Sequence, residues 1–411
     1  MKCGLLGRTL GHSYSPQIHR HLATYEYGLI EKEPQELSEF LHKGDFTGLN
    51  VTMPYKKDVI PFCAELSPRA KAVGAVNTIV RRPDGSLIGH NTDYYGFETM
   101  LLHTRLSVKD KKVLVLGSGG ASNTAVQVLK AHGANVVVIS RSGENNYKNL
   151  HLHSDASVIV NATPVGMYPH PGVSPVDLSL FPKLEGVLDL VYNPARTRLL
   201  LDAEDRGLVA ENGLRMLVAQ AKESAEWFTG KPIRDEIVEQ IHSKLSRQME
   251  NIVLIGMPGC GKSTVGKLLS ELTGKPFIDA DISIERLAGK PIPEIFAQDG
   301  EELFRELETQ VLNQLGMGSG NIIATGGGCV TRQENYPLLH QNGKIFWLQR
   351  DISVLPTDGR PLSQTGKLNE MYQIRQPMYR AFADYTIDNN GSPLSAAQQI
   401  CKEGKYEDSR H

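Results

Sequence analysis

Residues 251–264 read NIVLIGMPGCGKST, an apolar strand pattern that runs into a glycine-rich turn and then into a lysine and two hydroxyls. The spacing from Gly256 through Gly261 to Lys262 and Ser263 is that of a P-loop. Glycines let backbone N–H groups curl around phosphates, the lysine sets a point charge on the outer phosphates, and the serine hydroxyl can ligate magnesium. An ordinary glycine-rich turn is the competing reading, and the strand pattern before it and the helix pattern after it favour the P-loop. A P-loop joins the first strand of its domain to the first helix, so everything before about residue 248 should be another folding unit. The chain therefore reads as a fusion of two proteins.

Length and composition agree. A chain of 411 residues is too long for one ordinary core and suggests two or three domains. Hydrophobic content of 40% and charged content of 22% are those of a globular protein, and no apolar run reaches the roughly 20 residues that span a bilayer. The start, MKCGLLGRTLGHSYSP, lacks the long apolar region and cleavage site of a secretion signal, so a cytoplasmic protein without a membrane segment is expected. The five cysteines, Cys3, Cys63, Cys260, Cys329 and Cys401, stand at no metal-ligand spacing and read as buried thiols. A net charge of -2 gives no electrostatic footprint for nucleic acid, and small anions are the expected partners. A homo-oligomer stays open.

In the first half, Gly11-His12-Ser13-Tyr14-Ser15-Pro16 alternates two hydroxyls around an aromatic. In an extended segment Ser13 and Ser15 would face one side and could grip a carboxylate or diol, whereas a turn before a helix cap would use the same residues locally. Next, Gly48-Leu49-Asn50-Val51-Thr52-Met53-Pro54-Tyr55-Lys56 stops a β-rich run at a proline and sets Lys56 near a strand end. Gly74-Ala75-Val76-Asn77-Thr78 and Gly89-His90-Asn91-Thr92-Asp93-Tyr94-Tyr95-Gly96 each carry an Asn or Asp beside a Thr, at strand-to-loop positions. Together they offer a lysine, an aspartate and neutral donors to a polyhydroxy acid.

These four motifs, in this order, resemble the shikimate dehydrogenase family. The resemblance implies that Ser13, Ser15, Thr52, Lys56, Asn77 and Asp93 surround shikimate or 3-dehydroshikimate, with Lys56 and Asp93 as the catalytic pair. Hydride arriving at a carbonyl leaves a developing alkoxide that an ammonium can stabilise or protonate while a carboxylate fixes the ammonium. A surface ion pair of little worth is the bland alternative.

Lys111 to Ser122 reads KKVLVLGSGGAS ahead of a helical pattern and a second apolar strand, Ala134 to Ile139, the start of a dinucleotide-binding βαβ unit. Gly117 and Gly119 serve the turn and the approach to the pyrophosphate, with Ser118, Gly120 and Ala121 between and after them and Ser122 at the third glycine position. After the second strand, where an acidic residue would select NAD, stands Ser140-Arg141-Ser142, and a cation there favours NADP. The run is similar to the Asn-Arg-Thr of NADP-dependent members, whereas Asn123 replaces a residue that is often basic. Asn161-Ala162-Thr163-Pro164-Val165-Gly166-Met167, after the strand Ala156 to Val160, resembles the loop near the nicotinamide. By the same resemblance Leu190 and Gly213 lie at the cofactor, and Tyr192 and Gln220 at the substrate. The likeness covers roughly residues 1–242 and is short between His21 and Thr47.

Residues 241–250, IHSKLSRQME, read as a helix ending in a short connection. Lys275 to Ile282 reads as a strand carrying Asp279 and Asp281, which on a strand would share a face toward the phosphate site, while a capped helix start is the alternative. Gly300-Glu301, Phe304-Arg305 and Glu308 follow on a helical pattern, then Ala324-Thr325-Gly326-Gly327-Gly328, Arg360-Pro361-Leu362 and Arg375 with Pro377 and Tyr379. This series resembles shikimate kinase over about residues 251–400. The resemblance assigns Asp281, Arg305, Gly327 and Arg375 to shikimate, Gly259, Cys260, Gly261, Lys262, Ser263, Thr264 and the lid residue Arg360 to ATP, and Ser263 with Asp279 to Mg2+. Lys262, Asp281 and Arg360 would act in phosphoryl transfer, with Asp281 orienting the attacking hydroxyl. Departures gather around ATP, where the segment from Gln349 to Gly359 is short and Gly391 stands where a basic residue is usual.

The expected fold is α/β with mostly parallel sheets throughout. A two-lobed dehydrogenase unit spans 1–248, with a substrate lobe over about 1–97 plus returning helices 213–242 and a Rossmann NADP lobe over about 98–212. A P-loop domain like the nucleoside monophosphate kinases spans 249–411. The two resemblances together imply NADPH-dependent reduction of 3-dehydroshikimate and ATP-dependent phosphorylation of the shikimate so formed. Two rivals stay open: a dehydrogenase that also takes quinate, and a kinase-like half that binds without turnover.

Overall fold

The computed structural model of the chain describes residues 1–11, 13–355 and 365–406. Its contacts divide into two compact units, Met1–Tyr192 with Thr197–Lys244, and Asn193–Arg196 with Leu245–His411. Among the described residues no helix is long and apolar enough to cross a membrane.

The first unit holds two sheets. One has six strands in the spatial order Glu26–Glu31, Lys2–Gly7, Gly48–Val51, Thr78–Arg81, Leu87–His90 and Glu65–Leu66. It is mostly parallel, as expected, with one strand reversed: Thr78–Arg81 runs antiparallel to both Gly48–Val51 and Leu87–His90. The cause is local. Arg82-Pro83-Asp84-Gly85-Ser86 is too short for a crossover, and Gly85, at φ +86°, with the Asp84 carboxylate accepting from the Ser86 N–H, folds it into a hairpin turn.

The other sheet is wholly parallel, in the order Val209–Asn212, Gly186–Asp189, Val158–Asn161, Lys112–Leu116 and Asn135–Ile139. Its central strands are buried on both faces, as parallel strands between helices must be. Chain order reverses between Lys112–Leu116 and Val158–Asn161, and in open α/β sheets ligands lie at that crevice, beyond the carboxyl ends of the strands. Two long helices connect the sheets, Asp93–Thr104 leaving the first and Leu214–Thr229 returning. They pack closely at Gly96, where a Cβ would stand 2.6 Å from the Met216 carbonyl oxygen.

The second unit is built on a parallel sheet in the order Phe277–Asp279, Ile322–Ala324, Asn251–Ile255, Gly343–Gln349 and Tyr385–Asp388. The apolar run Asn251–Ile255 is its central, fully buried strand, and the helix Lys262–Thr273 starts directly after the glycine-rich turn. The segment before it is the helix Glu236–Met249 with Glu250 as the connection.

Candidate active sites

In the first unit a cleft of about 300 Å³ is lined by Ser13, Ser15, Thr52, Lys56, Asn77, Asp93, Tyr192 and Gln220, together with Ala121, Leu190 and Gly213. Every residue expected at the substrate thus reaches one cavity, though not always by the expected route. Ser13 and Ser15 are not in an extended segment: Ser15 opens the helix Ser15–Leu22, and its N–H donates to the Ser13 hydroxyl over 3.2 Å. The following proline favours a helix start, and a turn into that start, not strand alternation, brings both hydroxyls to the cleft. Lys56 lies five residues beyond the end of its strand, in a turn after Met53-Pro54. Asn77 immediately precedes a strand instead of following one, because the helix Pro68–Val73 ends at Gly74 and the chain enters the sheet from there.

Lys56 Nζ sits 2.6 Å from Asp93 Oδ2, and both side chains are mostly shielded from solvent. Asp93 is the first residue of its helix, where the N-terminal dipole favours a carboxylate. Asn77 is fixed by its neighbours: Oδ1 accepts from the Thr92 N–H at 2.7 Å, and Nδ2 lies 3.1 Å from the Thr92 hydroxyl, leaving the second amide hydrogen for a ligand. Under it, Thr78, Thr92 and Ser224, all fully buried, bond one another through their hydroxyls, and the Asn50 amide donates to Thr78 and Ser224. Asn50 lines the cleft and is a residue that sequence reading passed over; a buried asparagine inside an apolar strand motif was the available signal.

The residues expected at the cofactor occupy adjoining turns. Gly117 adopts φ +106°, closed to most side chains, and a Cβ there would stand 3.0 Å from the Ala162 carbonyl oxygen. Gly119 is the N-cap of the helix Gly120–Ala131, whose first-turn N–H groups are of the kind that can hold an anion. Ser118 follows Gly117 in the same turn, and Ser140, Arg141 and Ser142 follow the next strand, with Arg141 exposed. Asp189 anchors the floor: it accepts from the Thr197 hydroxyl, Asn161 Nδ2 and the Val191 N–H, and burial pushes its carboxyl up to about 6. That anchoring holds the backbone on either side of Leu190 and carries the chain on to Tyr192.

In the second unit a cavity of about 620 Å³ is lined by Gly259, Gly261, Lys262, Ser263, Thr264, Asp279, Asp281, Arg305, Gly327 and Arg375. Gly256, Gly259 and Gly261 all have positive φ, the backbone that an inward-turned phosphate loop needs. Cys260, expected at ATP, is buried and does not line the cavity; its thiol lies 4.0 Å from Lys262 Nζ and its carbonyl accepts from Asn389 Nδ2. Lys262 Nζ donates to the Gly256 and Met257 carbonyls. Arg360 lies outside the described residues.

The shared strand face expected for Asp279 and Asp281 is not found. Asp279 ends its strand and caps the helix Ala280–Ala288, accepting from the Asp281 N–H, so that Asp281 stands in the first helical turn. The cap competes with further strand, and both carboxylates still reach the cavity. Ser263 Oγ donates to Asp279 Oδ2 at 2.7 Å, placing hydroxyl and carboxylate together. Among the described residues no group of three or more His, Cys, Asp or Glu side chains could hold a metal. A magnesium ion at Ser263 and Asp279 would complete its shell from phosphate oxygens and water, as that ion commonly does.

Arg305 is gripped from behind by Glu308 at 2.6 Å and Glu301 at 3.0 Å. Burial pushes the Glu308 carboxyl up, against the pull of Arg305. Arg375 Nη1 donates to the Gly327 carbonyl. Glu308 and Arg350 line the cavity without having been singled out as ligands from sequence. The i, i+3 pair with Arg305 was a signal for Glu308, whereas Arg350 belongs to no motif.

A two-lobed α/β unit with a lysine–aspartate pair below a glycine-rich βα turn, followed by a P-loop unit with a substrate-sized cavity, defines an oxidoreductase joined to a phosphotransferase. Residues 5–79 match the shikimate dehydrogenase substrate binding domain, and residues 258–405 match shikimate kinase. The shikimate dehydrogenase (NADP(+)) of Caldicellulosiruptor bescii is 37% identical over 55% of this chain and 89% of its own length. The crystal structure of a chorismate mutase/shikimate 5-dehydrogenase fusion protein from Clostridium acetobutylicum is 37% identical, with a TM-score of 0.56, over 59% of this chain and 96% of that one. A shikimate 5-dehydrogenase from Thermus thermophilus, solved with NADP(H) and shikimate, is 30% identical, with a TM-score of 0.55, over 59% and 99%. The chain belongs to the shikimate dehydrogenase family and carries a shikimate kinase domain behind it, a bifunctional enzyme of the shikimate pathway.

Proposed function

We propose that residues 1–248 reduce 3-dehydroshikimate to shikimate with NADPH and that residues 249–411 phosphorylate the 3-hydroxyl of shikimate with ATP and Mg2+. The Lys56–Asp93 pair at 2.6 Å, inside a cleft lined by hydroxyls and amides, carries the first half of this reading. When bound, NADPH supplies hydride, ATP supplies the phosphoryl group, and magnesium neutralises phosphate charge. Lys56 protonates or electrostatically steadies the oxygen that gains negative charge at the reduced carbon, and Asp93 keeps the ammonium in place and charged. Ser13 and Ser15 take the carboxylate, while Asn77, Thr52 and Gln220 orient the ring hydroxyls. Arg141 meets the additional phosphate that distinguishes NADP.

In the kinase unit Asp281 accepts a hydrogen bond from the attacking hydroxyl and aims it, and Arg305 with Arg375 holds the shikimate carboxylate through charge-assisted bonds. Lys262 leaves the two loop carbonyls it now contacts and turns to the phosphates. Five unbridged cysteines suit work in the cytoplasm on small molecules.

The test incubates the purified protein with 3-dehydroshikimate, NADPH, ATP and magnesium while NADPH is followed by absorbance and ADP by an assay that does not oxidise NADPH. ADP that appears only after NADPH has been consumed establishes both activities in sequence. Loss of NADPH with no ADP, even when shikimate is added, would confine the enzyme to the first reaction.

A further inference from the structure

The strand order of the kinase unit divides its cavity. Asn251–Ile255, which leads into the phosphate loop, is flanked on one side by Ile322–Ala324 and Phe277–Asp279, and on the other by Gly343–Gln349 and Tyr385–Asp388. The first side delivers Asp279, Asp281 and the Gly326-Gly327-Gly328 run, the acidic and shikimate-facing parts of the site. The second side delivers two residues at matching strand ends: Arg350, directly after Gln349, and Asn389, directly after Asp388. Both converge on Gly261. A Cβ at Gly261 would lie 2.9 Å from Asn389 Nδ2 and 3.9 Å from Arg350 Nη1.

Their bonding is incomplete. Asn389 is almost fully buried, and its Nδ2 supports the loop through the Cys260 carbonyl at 2.6 Å, but its Oδ1 finds no partner among the described residues. Arg350 lines the cavity with its Nε buried and likewise without a hydrogen-bond partner among the described residues. A donor left buried and unmade is destabilising, so a planar cation held this way calls for an acceptor that arrives with a ligand. The other arginines of the cavity are already engaged: Arg305 with Glu301 and Glu308, Arg375 with the Gly327 carbonyl. Beside the loop, Lys262 is the other cation lining the cavity among the described residues.

We propose that Arg350 is a nucleotide-binding residue of the kinase unit, pairing with the phosphate chain of the nucleoside triphosphate from the side of the loop opposite the shikimate-binding residues, with Asn389 positioning the loop for it. This rests on the kinase reading above and adds to it a cation that no motif announces. A guanidinium suits phosphate because it donates two parallel bonds, which an ammonium cannot.

The experiment compares wild type with Arg350→Gln and Arg350→Lys in the full chain, reading KM for ATP, KM for shikimate, and ADP binding by calorimetry. We expect KM for ATP and Kd for ADP to rise about tenfold or more in Arg350→Gln and by less in Arg350→Lys, the scale of one charge-assisted bond. KM for shikimate should stay within about twofold, a control that the cavity is still folded. Unchanged ADP affinity in Arg350→Gln overturns the proposal, as does an equal rise in both KM values, which would mark a general packing role. If wild type binds ADP but never turns over shikimate, the kinase reading fails while the binding comparison still decides the role of Arg350.

Discussion

Lys56 and Asp93 lie 37 residues apart in sequence, one in a turn beyond a strand and the other at the head of a helix, and their charged atoms meet at 2.6 Å. Exchanging either should therefore remove chemistry more than binding. Lys56→Met and Asp93→Asn should each lower kcat for 3-dehydroshikimate reduction by about 10²–10⁴ with a much smaller change in KM. Steady-state kinetics with NADPH would show it, and ADP formation from added shikimate, measured on the same preparations, should be unaffected. A loss confined to KM would reduce the pair to a binding role.

Arg141 stands exposed just after the strand Asn135–Ile139, where the additional phosphate of NADP would lie. Arg141→Ala should reduce the preference for NADPH over NADH by about tenfold to a hundredfold, the worth of one or two charge-assisted bonds. The ratio of kcat/KM for the two cofactors is the measurement. An unchanged ratio would move selection to another residue.

Arg305 has no room to yield at Gly328. A methyl at that position would overlap the Arg305 guanidinium, which Glu301 and Glu308 pin from behind. Gly328→Ala should thus push Arg305 out of place and raise KM for shikimate in the kinase reaction at least about tenfold. Dehydrogenase kinetics on the same chain should not change. A normal KM would show that the guanidinium can shift without loss.

The dehydrogenase unit should weaken on acidification because of His19. Its ring stacks on Tyr27 at 3.9 Å, and burial lowers its pKa to about 3. The unfolded chain binds a proton below about pH 6.5 that the native state refuses, so the stability contribution is complete above that value and declines toward pH 3. The loss from this one residue is about 2 kcal/mol at pH 5. Glu223, whose carboxyl burial raises to about 7, works in the opposite direction between about pH 4.5 and 7, so the comparison has to be made between variants. Trp227 lies in this unit and Trp347 in the other, so urea titrations in a Trp347→Phe background would report on the dehydrogenase unit. The difference in midpoint between pH 7.5 and pH 5 should shrink in His19→Gln. An undiminished difference would place the pH response elsewhere.

Much of this was readable from local pattern. The run Asn251–Ile255 is a buried strand, and Lys262 opens a helix, as glycine spacing and apolar runs implied, because a phosphate loop is specified by a few contiguous residues. Asn135–Ile139 likewise follows from its apolar run. An error arose where one local rule displaced another. Strand alternation is the favoured reading for Asp279 with Asp281, but a carboxylate cap decides that segment; of the two readings open for Ser13 with Ser15, the turn into a helix start is the one found. The hairpin closed by Asp84 and Gly85 is also signalled in the chain, and it reverses the single antiparallel strand of an otherwise parallel first sheet.

The sequence by itself determined the two units, the kind of site each carries and the residue types that fill them, since turn chemistry, glycine placement and apolar periodicity act over a few residues at a time. Tertiary structure alone decided which distant groups meet. Ser224 enters the hydroxyl cluster beneath Asn77 from a helix well over a hundred residues later, and Arg350 comes to Gly261 because two parallel strands lie side by side. Such contacts depend on sheet order and helix return, and these are set by burial over the whole unit.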